Sequence, residues 1–174
     1  MTDEEYDGED INDAARLAKA EIFKKRLAMG IEAENLAYTY LKANNSFVED
    51  LRQQKHGEFA GPRLCGTEGV LVLPDFVVYN KNPNKGTFAV DVKSKERTYP
   101  INGKICFTVD DKFEQYKLSA AVKRLDHLRI LFFLEGRMYM YKDSDCLGMI
   151  QYPPGPNGNG RVFYFEFDKK KMVY

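Results

Sequence analysis

Four charged side chains in this sequence sit where apolar ones would be expected, and together they suggest metal-assisted chemistry on a phosphate ester. The first two lie in "FAVDVKSK", residues 88–95, where Phe88, Val90 and Val92 alternate with Asp91 and Lys93 along a strand-like run. Asp is among the poorest strand formers, so Asp91 needs either a solvated sheet face or a task. Ahead of this run stands "VLVLPDFVVYN", residues 70–80, followed by the turn-rich "NKNPNKG", so the two runs form a hairpin. A turn centred on Pro83 sets Tyr79 against Thr87 and, in the same register, Asp75 against Asp91. Two carboxylates with Cβ atoms about 5 Å apart repel unless a hard cation lies between them. Lys93, two residues from Asp91, shares its strand face. It either makes a plain ion pair there or, beside a metal, orients water and stabilises charge on a phosphoryl oxygen. The fourth group is Glu34. At 100° per residue it lies at the centre of a stripe formed by Phe23, Leu27, Ile31, Tyr38 and Leu41, where a Leu would be expected. A carboxylate aimed at a core is costly without a cation or several donors. Alternatively, that end of the helix lifts off the sheet and leaves Glu34 in water.

These residues need rigid elements to position them. Residues 14–43 favour helix, with Gly30 as a possible break, and residues 46–55 form a first strand of poor pattern. "KHGEFAGPRLCGTEG", 55–69, reads as a loop or irregular edge, and residues 70–80 read as one strand bulged at Pro74. A loop follows the "TFAVDVKSK" strand. "DDKFEQYKLSAAVKRL" is a helix capped by Asp110 or Asp111. "RILFFLE" is apolar throughout, as a strand covered on both faces would be, and "RMYMYKD" is its partner. After the loop "YPPGPNGNG" comes "RVFYFEF", with Phe163, Phe165 and Phe167 on one face. The expected fold is a single α/β domain, a mixed central sheet flanked by helices.

The totals agree with one cored domain: 174 residues, 44% hydrophobic and 30% charged. Cys65, Cys106 and Cys146 are scattered, which argues against a disulfide framework and for a reducing compartment. With only His56 and His127 besides them, a Cys/His zinc site is not expected. No apolar run approaches the about 20 residues of a membrane span, and no signal pattern opens the chain, so a cytoplasmic protein is expected. The formal net charge is zero, but residues 1–13 hold seven acidic groups and no Lys or Arg. That leaves 26 basic residues against 19 acidic ones, net +7, for residues 14–174. A basic body with an acidic, disordered tail suits a polyanion partner.

Pro74-Asp75, then Asp91-Val92-Lys93 after a hairpin, resembles the signature of the PD-(D/E)xK nuclease superfamily. The order of elements over residues 20–142 resembles that family's αβββαβ, restriction-endonuclease-like core. "GIEAENLAYTYL" and "FEQYKLSAA" look most like the branch of Holliday junction resolvases and phage or restriction nucleases. The resemblance implies Asp75, Asp91, the Val92 carbonyl and Glu34, directly or through water, as ligands of Mg²⁺ or Mn²⁺. It implies that Lys93 positions the attacking water, that Gln115 assists on the lysine's side, and that DNA is cut to 5′-phosphate and 3′-hydroxyl ends. Asp91 stands where Glu is commoner. On this reading 1–13 is a tail, 14–142 the nuclease-like core, and 143–174 an extension packed on it. The stretch 57–74 and the residues after 143 have no counterpart in the pattern and are expected to set substrate or partner choice. Cutting both strands would call for a homodimer. Lys95, Arg97, Lys104, Lys112, Lys117, Lys123 and Arg124 are available for phosphate contacts or form a solvated basic face. The same fold without cutting activity, binding nucleic acid or a protein partner through the tail or extension, is the alternative.

Overall fold

A computed structural model describes residues 9–44, 47–53, 63–66, 69–82, 84, 86–153 and 160–174. Helix α1 spans Glu9–Asn44. It is rich in Ala, Leu, Lys and Glu, contains no Pro, and passes through Gly30 without a break, since one Gly costs only about 1 kcal/mol in a helix. Its early residues include part of the acidic run expected as a tail; residues 1–8 lie outside those described. Strand β1 (Phe47–Asp50) runs into a short 3-10 turn, Leu51–Gln53. Next come β2 (Arg63–Gly66), β3 (Gly69–Val72), β4 (Phe76–Tyr79), β5 (Thr87–Lys95), β6 (Tyr99–Ile101) and β7 (Lys104–Val109). Helix α2 (Lys112–Val122) leads to β8 (His127–Leu134), β9 (Arg137–Lys142), β10 (Gly148–Gln151) and β11 (Arg161–Glu166).

The central sheet has the order β1-β4-β5-β8-β9. Only β5 and β8 in it are parallel, joined by the crossover that contains α2. Asp126 fixes their register at one end: its carboxylate accepts the Thr87 N–H at 2.6 Å, and its own N–H donates to the Thr87 carbonyl at 2.8 Å. Gly86, with φ +69, leaves the room that Asp126 occupies. A second sheet, β10-β11-β7-β6, covers one face of the first together with α2. Phe107 of β7 stacks on Phe132 of β8 with centroids 4.5 Å apart. Helix α1 covers the other face through Ala33, Ala37 and Leu41.

Three expectations are corrected. Residues 70–80 are not one bulged strand: β3 pairs with β2, and β4 pairs with β1 and β5. Pro74 has no N–H to continue a ladder and ends the first piece. The stretch 55–69, expected as a loop or irregular edge, includes the strand β2, although 54–62 and 67–68 lie outside the described residues. The loop expected before α2 is instead the β6–β7 hairpin, turned by Asn102 (φ 50) and Gly103 (φ 76). Among the described residues, no helix is long and apolar enough to cross a membrane.

Candidate active site

The site is a fork. β4 and β5 pair in the expected register, with Tyr79 opposite Thr87 and Phe76 opposite Val90, and then separate. One residue further along, the carboxylate of Asp75 takes over from the ladder: Oδ2 accepts the Val92 N–H at 2.7 Å. The Asp75 carbonyl accepts the Leu51 N–H at 2.9 Å, so both sides of this bend are held. Beyond the fork, β5 turns Asp91 and Lys93 toward α2, while Val90 and Val92 pack under α1. Lys93 Nζ lies 2.9 Å from Asp91 Oδ2, donates to Tyr116 Oη at 3.1 Å, and sits 4.9 Å from that ring's centroid. The Asp91 side chain is 3% exposed and that of Lys93 21%.

Burial dominates the electrostatics. Desolvation and then the neighbouring Asp91 push the Asp75 carboxyl well above the usual carboxylate range. Desolvation also raises Asp91, with Lys93 pulling it back. For Lys93, desolvation alone would lower the ammonium, but Asp91, Tyr116, Asp110 and Asp75 outweigh it and hold the group well above its ordinary value. For Lys95 the balance is reversed: desolvation and the charge of Lys93 outweigh Asp110 and Asp91 and bring it down to about 8.

Glu34 approaches from α1, half-buried and raised by desolvation against the pull of Arg52. Its place differs from the one expected. The buried face of α1 is Ala33, Ala37 and Leu41, with Glu34 at its edge, while Phe23, Leu27 and Ile31 are exposed. Arg52 holds the edge together. It grips Asp50 through Nε at 2.9 Å and NH2 at 2.7 Å, and NH1 reaches Asn35 at 3.1 Å and Glu34 at 3.5 Å. Its guanidinium lies 4.7 Å from the Phe76 ring centroid.

The structure therefore brings Asp75, Asp91 and Lys93 together, with Glu34 close enough to feel the charges of Asp91 and Lys93. Gln115 is engaged elsewhere: its Oε1 accepts the Val72 N–H at 3.3 Å and ties α2 to β3. The α2 side chain that reaches Lys93 is Tyr116. Sequence reasoning missed it and Arg52; the rotation of α2 set by Phe113 and Ala120 facing the core was the available signal for Tyr116. Among the described residues, no group of three or more His, Cys, Asp and Glu side chains stands ready to hold a metal ion. The donor chemistry nevertheless fits a hard divalent cation. Three carboxyls raised by burial, two of them close enough at the strand fork for Asp91 to raise Asp75, form an environment that favours added positive charge.

That crowding has a sign in stability. A carboxyl raised in the folded state binds more protons folded than unfolded, so its contribution is complete below the unfolded value near 3.9 and is lost as pH rises toward the folded value. Asp75→Asn is expected to stabilise the metal-free protein at pH 8 by on the order of 1–2 kcal/mol, with the gain fading toward pH 4. Thermal melts in EDTA across that range check it, and destabilisation at pH 8 would contradict it.

No family model and no curated protein matches the sequence. Among solved structures, that of Hjc, a Holliday junction resolvase from the archaeal hyperthermophile Archaeoglobus fulgidus, matches with a TM-score of 0.50 and 14% identity. The match covers 79% of this chain and 88% of that one. The likeness is one of fold: a mixed α/β domain of the restriction-endonuclease-like kind expected from the sequence.

Proposed function

We propose that this chain is a metal-dependent nuclease that hydrolyses DNA phosphodiester bonds to 5′-phosphate and 3′-hydroxyl ends. The observation that carries this reading is the position of Lys93 Nζ, 2.9 Å from Asp91 and 3.1 Å from Tyr116, beside the Asp75 fork. Asp75, Asp91, the Val92 carbonyl and Glu34 would hold Mg²⁺ or Mn²⁺, which supplies Lewis acidity at the scissile phosphoryl group. Lys93 stays charged at neutral pH, so it acts as a donor: it fixes a water by its oxygen or neutralises charge on a phosphoryl oxygen, and takes no proton. Tyr116 holds that ammonium in place with a hydroxyl that is itself raised by burial and by Asp91, and therefore un-ionised. Arg52 keeps Glu34 directed at the site. DNA is the partner, and a four-way junction is the first substrate to try, with a homodimer to cut both strands.

One observation favours a second reading, a nuclease fold that binds without cutting. Asp91 is paired to Lys93, and Asp75 is bonded to the Val92 N–H. A panel of end-labelled duplex, single-stranded, flap and four-way-junction DNAs, incubated with Mg²⁺, Mn²⁺ or EDTA, separates the two. Cutting that requires metal supports the nuclease; tight binding with no cutting under any condition supports the binder. If the nuclease reading holds, Tyr116→Phe, which keeps the ring, is expected to slow single-turnover cleavage about tenfold while costing about 1–3 kcal/mol of stability. A wild-type rate would remove Tyr116 from the machinery.

A further inference from the structure

The fork has two arms, and α2 touches both with neighbouring side chains. One arm is β5, where Lys93 Nζ donates to Tyr116 Oη at 3.1 Å. The other is the chain that leaves β3 at Val72 and bends through Leu73 and Pro74 into Asp75. Gln115 meets that arm: its Oε1 accepts the Val72 N–H at 3.3 Å. Only the carbonyl end of an amide can face an N–H, so the side chain acts here as an acceptor. Consecutive helix residues point about 100° apart, which lets Gln115 and Tyr116 reach different arms from one turn. The helix they share is firmly placed. Phe113 packs on Phe163 and Phe165 with centroids 5.0 and 5.5 Å away, and Glu114 accepts from Arg161 at 2.8 Å.

The arm that carries Asp75 needs such a hold. Among the described residues, β2 and β3 form a two-stranded sheet of their own, hydrogen-bonded into neither of the larger sheets. Val72 packs against the core beside α2, but apolar packing is non-directional and leaves the ribbon free to slide. The Gln115 bond supplies the missing direction, three residues ahead of Asp75. We propose that Gln115 is a positioning residue: it fixes the Val72 end of the ribbon on α2 and thereby sets Asp75 in place relative to Lys93, which Tyr116 holds from the same helix. The proposal rests on the nuclease reading for its consequence in cleavage, but the placement of Asp75 is a separate claim. It moves the task of the glutamine from the lysine's side of the site to the aspartate's, and it requires an acceptor, not a group that touches the substrate. The Val92 N–H reports that placement, because Asp75 Oδ2 accepts it at 2.7 Å.

The test compares wild type, Gln115→Ala and Gln115→Glu. Amide exchange by NMR and Mn²⁺ binding by EPR are measured without DNA, followed by single-turnover cleavage of a labelled four-way junction. Gln115→Ala is expected to speed exchange at Val92 about tenfold more than at Ala89 on the same strand, and to weaken Mn²⁺ binding about tenfold. Its cleavage rate is expected to recover toward that of wild type as Mn²⁺ is raised to saturation. Gln115→Glu keeps an acceptor for the Val72 N–H, so it is expected to retain wild-type exchange at Val92 and to bind Mn²⁺ at least as tightly. Unchanged Val92 exchange and Mn²⁺ affinity in Gln115→Ala would overturn the proposal, whether or not cleavage slows. Equal losses in the two variants would also overturn it, since the donor end of the amide would then be the part that counts. Wild type that cuts no DNA, with Val92 exchange still dependent on an acceptor at 115, would overturn the nuclease reading and leave the placement of Asp75 standing.

Discussion

Lys93→Met is expected to slow metal-dependent DNA cleavage by about 10²–10³-fold, the scale of losing one preorganised donor at a reacting oxygen. Two consequences of the same contact add to the loss. The ammonium is no longer present to orient water or phosphate, and Asp91, whose side chain is 3% exposed, loses its partner at 2.9 Å. Without that charge, desolvation lifts the Asp91 carboxyl further, and a protonated acid is a poor cation ligand. Single-turnover cleavage, together with anisotropy in Ca²⁺, separates the effects: the chemical step collapses while the affinity for DNA changes little. A variant that binds weakly but cuts at the wild-type rate when saturated would reduce Lys93 to a phosphate anchor. Asp91→Asn is the companion test, because it keeps shape and removes the charge on the other side of the same pair.

The largest stability effect is expected at Phe107. It is fully buried and joins the two sheets: its ring lies 4.5 Å from Phe132, 5.6 Å from Tyr139, 6.0 Å from Tyr141 and 5.4 Å from Phe167, centroid to centroid. Phe107→Ala therefore removes packing from both layers at once and is expected to cost about 3–5 kcal/mol in urea unfolding. Phe23→Ala is the control, since that ring is 69% exposed and its loss is expected to fall within about 0.5 kcal/mol. Equal costs for the two would mean that the second sheet is not part of the core.

The convergence of Asp75, Asp91 and Lys93 was legible because it is built from hairpin register, which is local. Counting back from a turn at Pro83 gave Tyr79 opposite Thr87, and the structure has that pair. The three phenylalanines of the last strand likewise declared their common face: Phe163 and Phe165 are buried, and Phe167 packs against the same cluster. What failed was of two kinds. The β6–β7 hairpin carried its own mark in Asn102-Gly103, a dipeptide suited to the positive φ values of a tight turn, but the surrounding Pro100 and Lys104 masked the alternation. The rotation of α1 was not recoverable in the same way. Its large apolar residues point to one stripe, yet the sheet takes the small ones, Ala33 and Ala37, because close approach of a helix to strands favours them over bulk. Glu34 consequently moves from the centre of the buried face to its edge, where Arg52 can reach it. Gln115 and Tyr116 are neighbours whose roles depend on a similar rotation of α2, for which Phe113 and Ala120 on the core side were the one available mark.

Helix α1 is also longer than anything it rests on: 36 residues, about 54 Å, against a nine-residue β5 of about 30 Å. Its later half is held by packing, while residues 15–28 stand mostly in solvent. That earlier half persists by propagation from a nucleus already formed on the sheet, so its length is a matter of helix–coil equilibrium. On warming, helical signal from residues 15–28 is expected to fade gradually below the temperature at which the domain melts. Two thermal changes of different character are thus expected, one cooperative and one gradual, meeting near Met29.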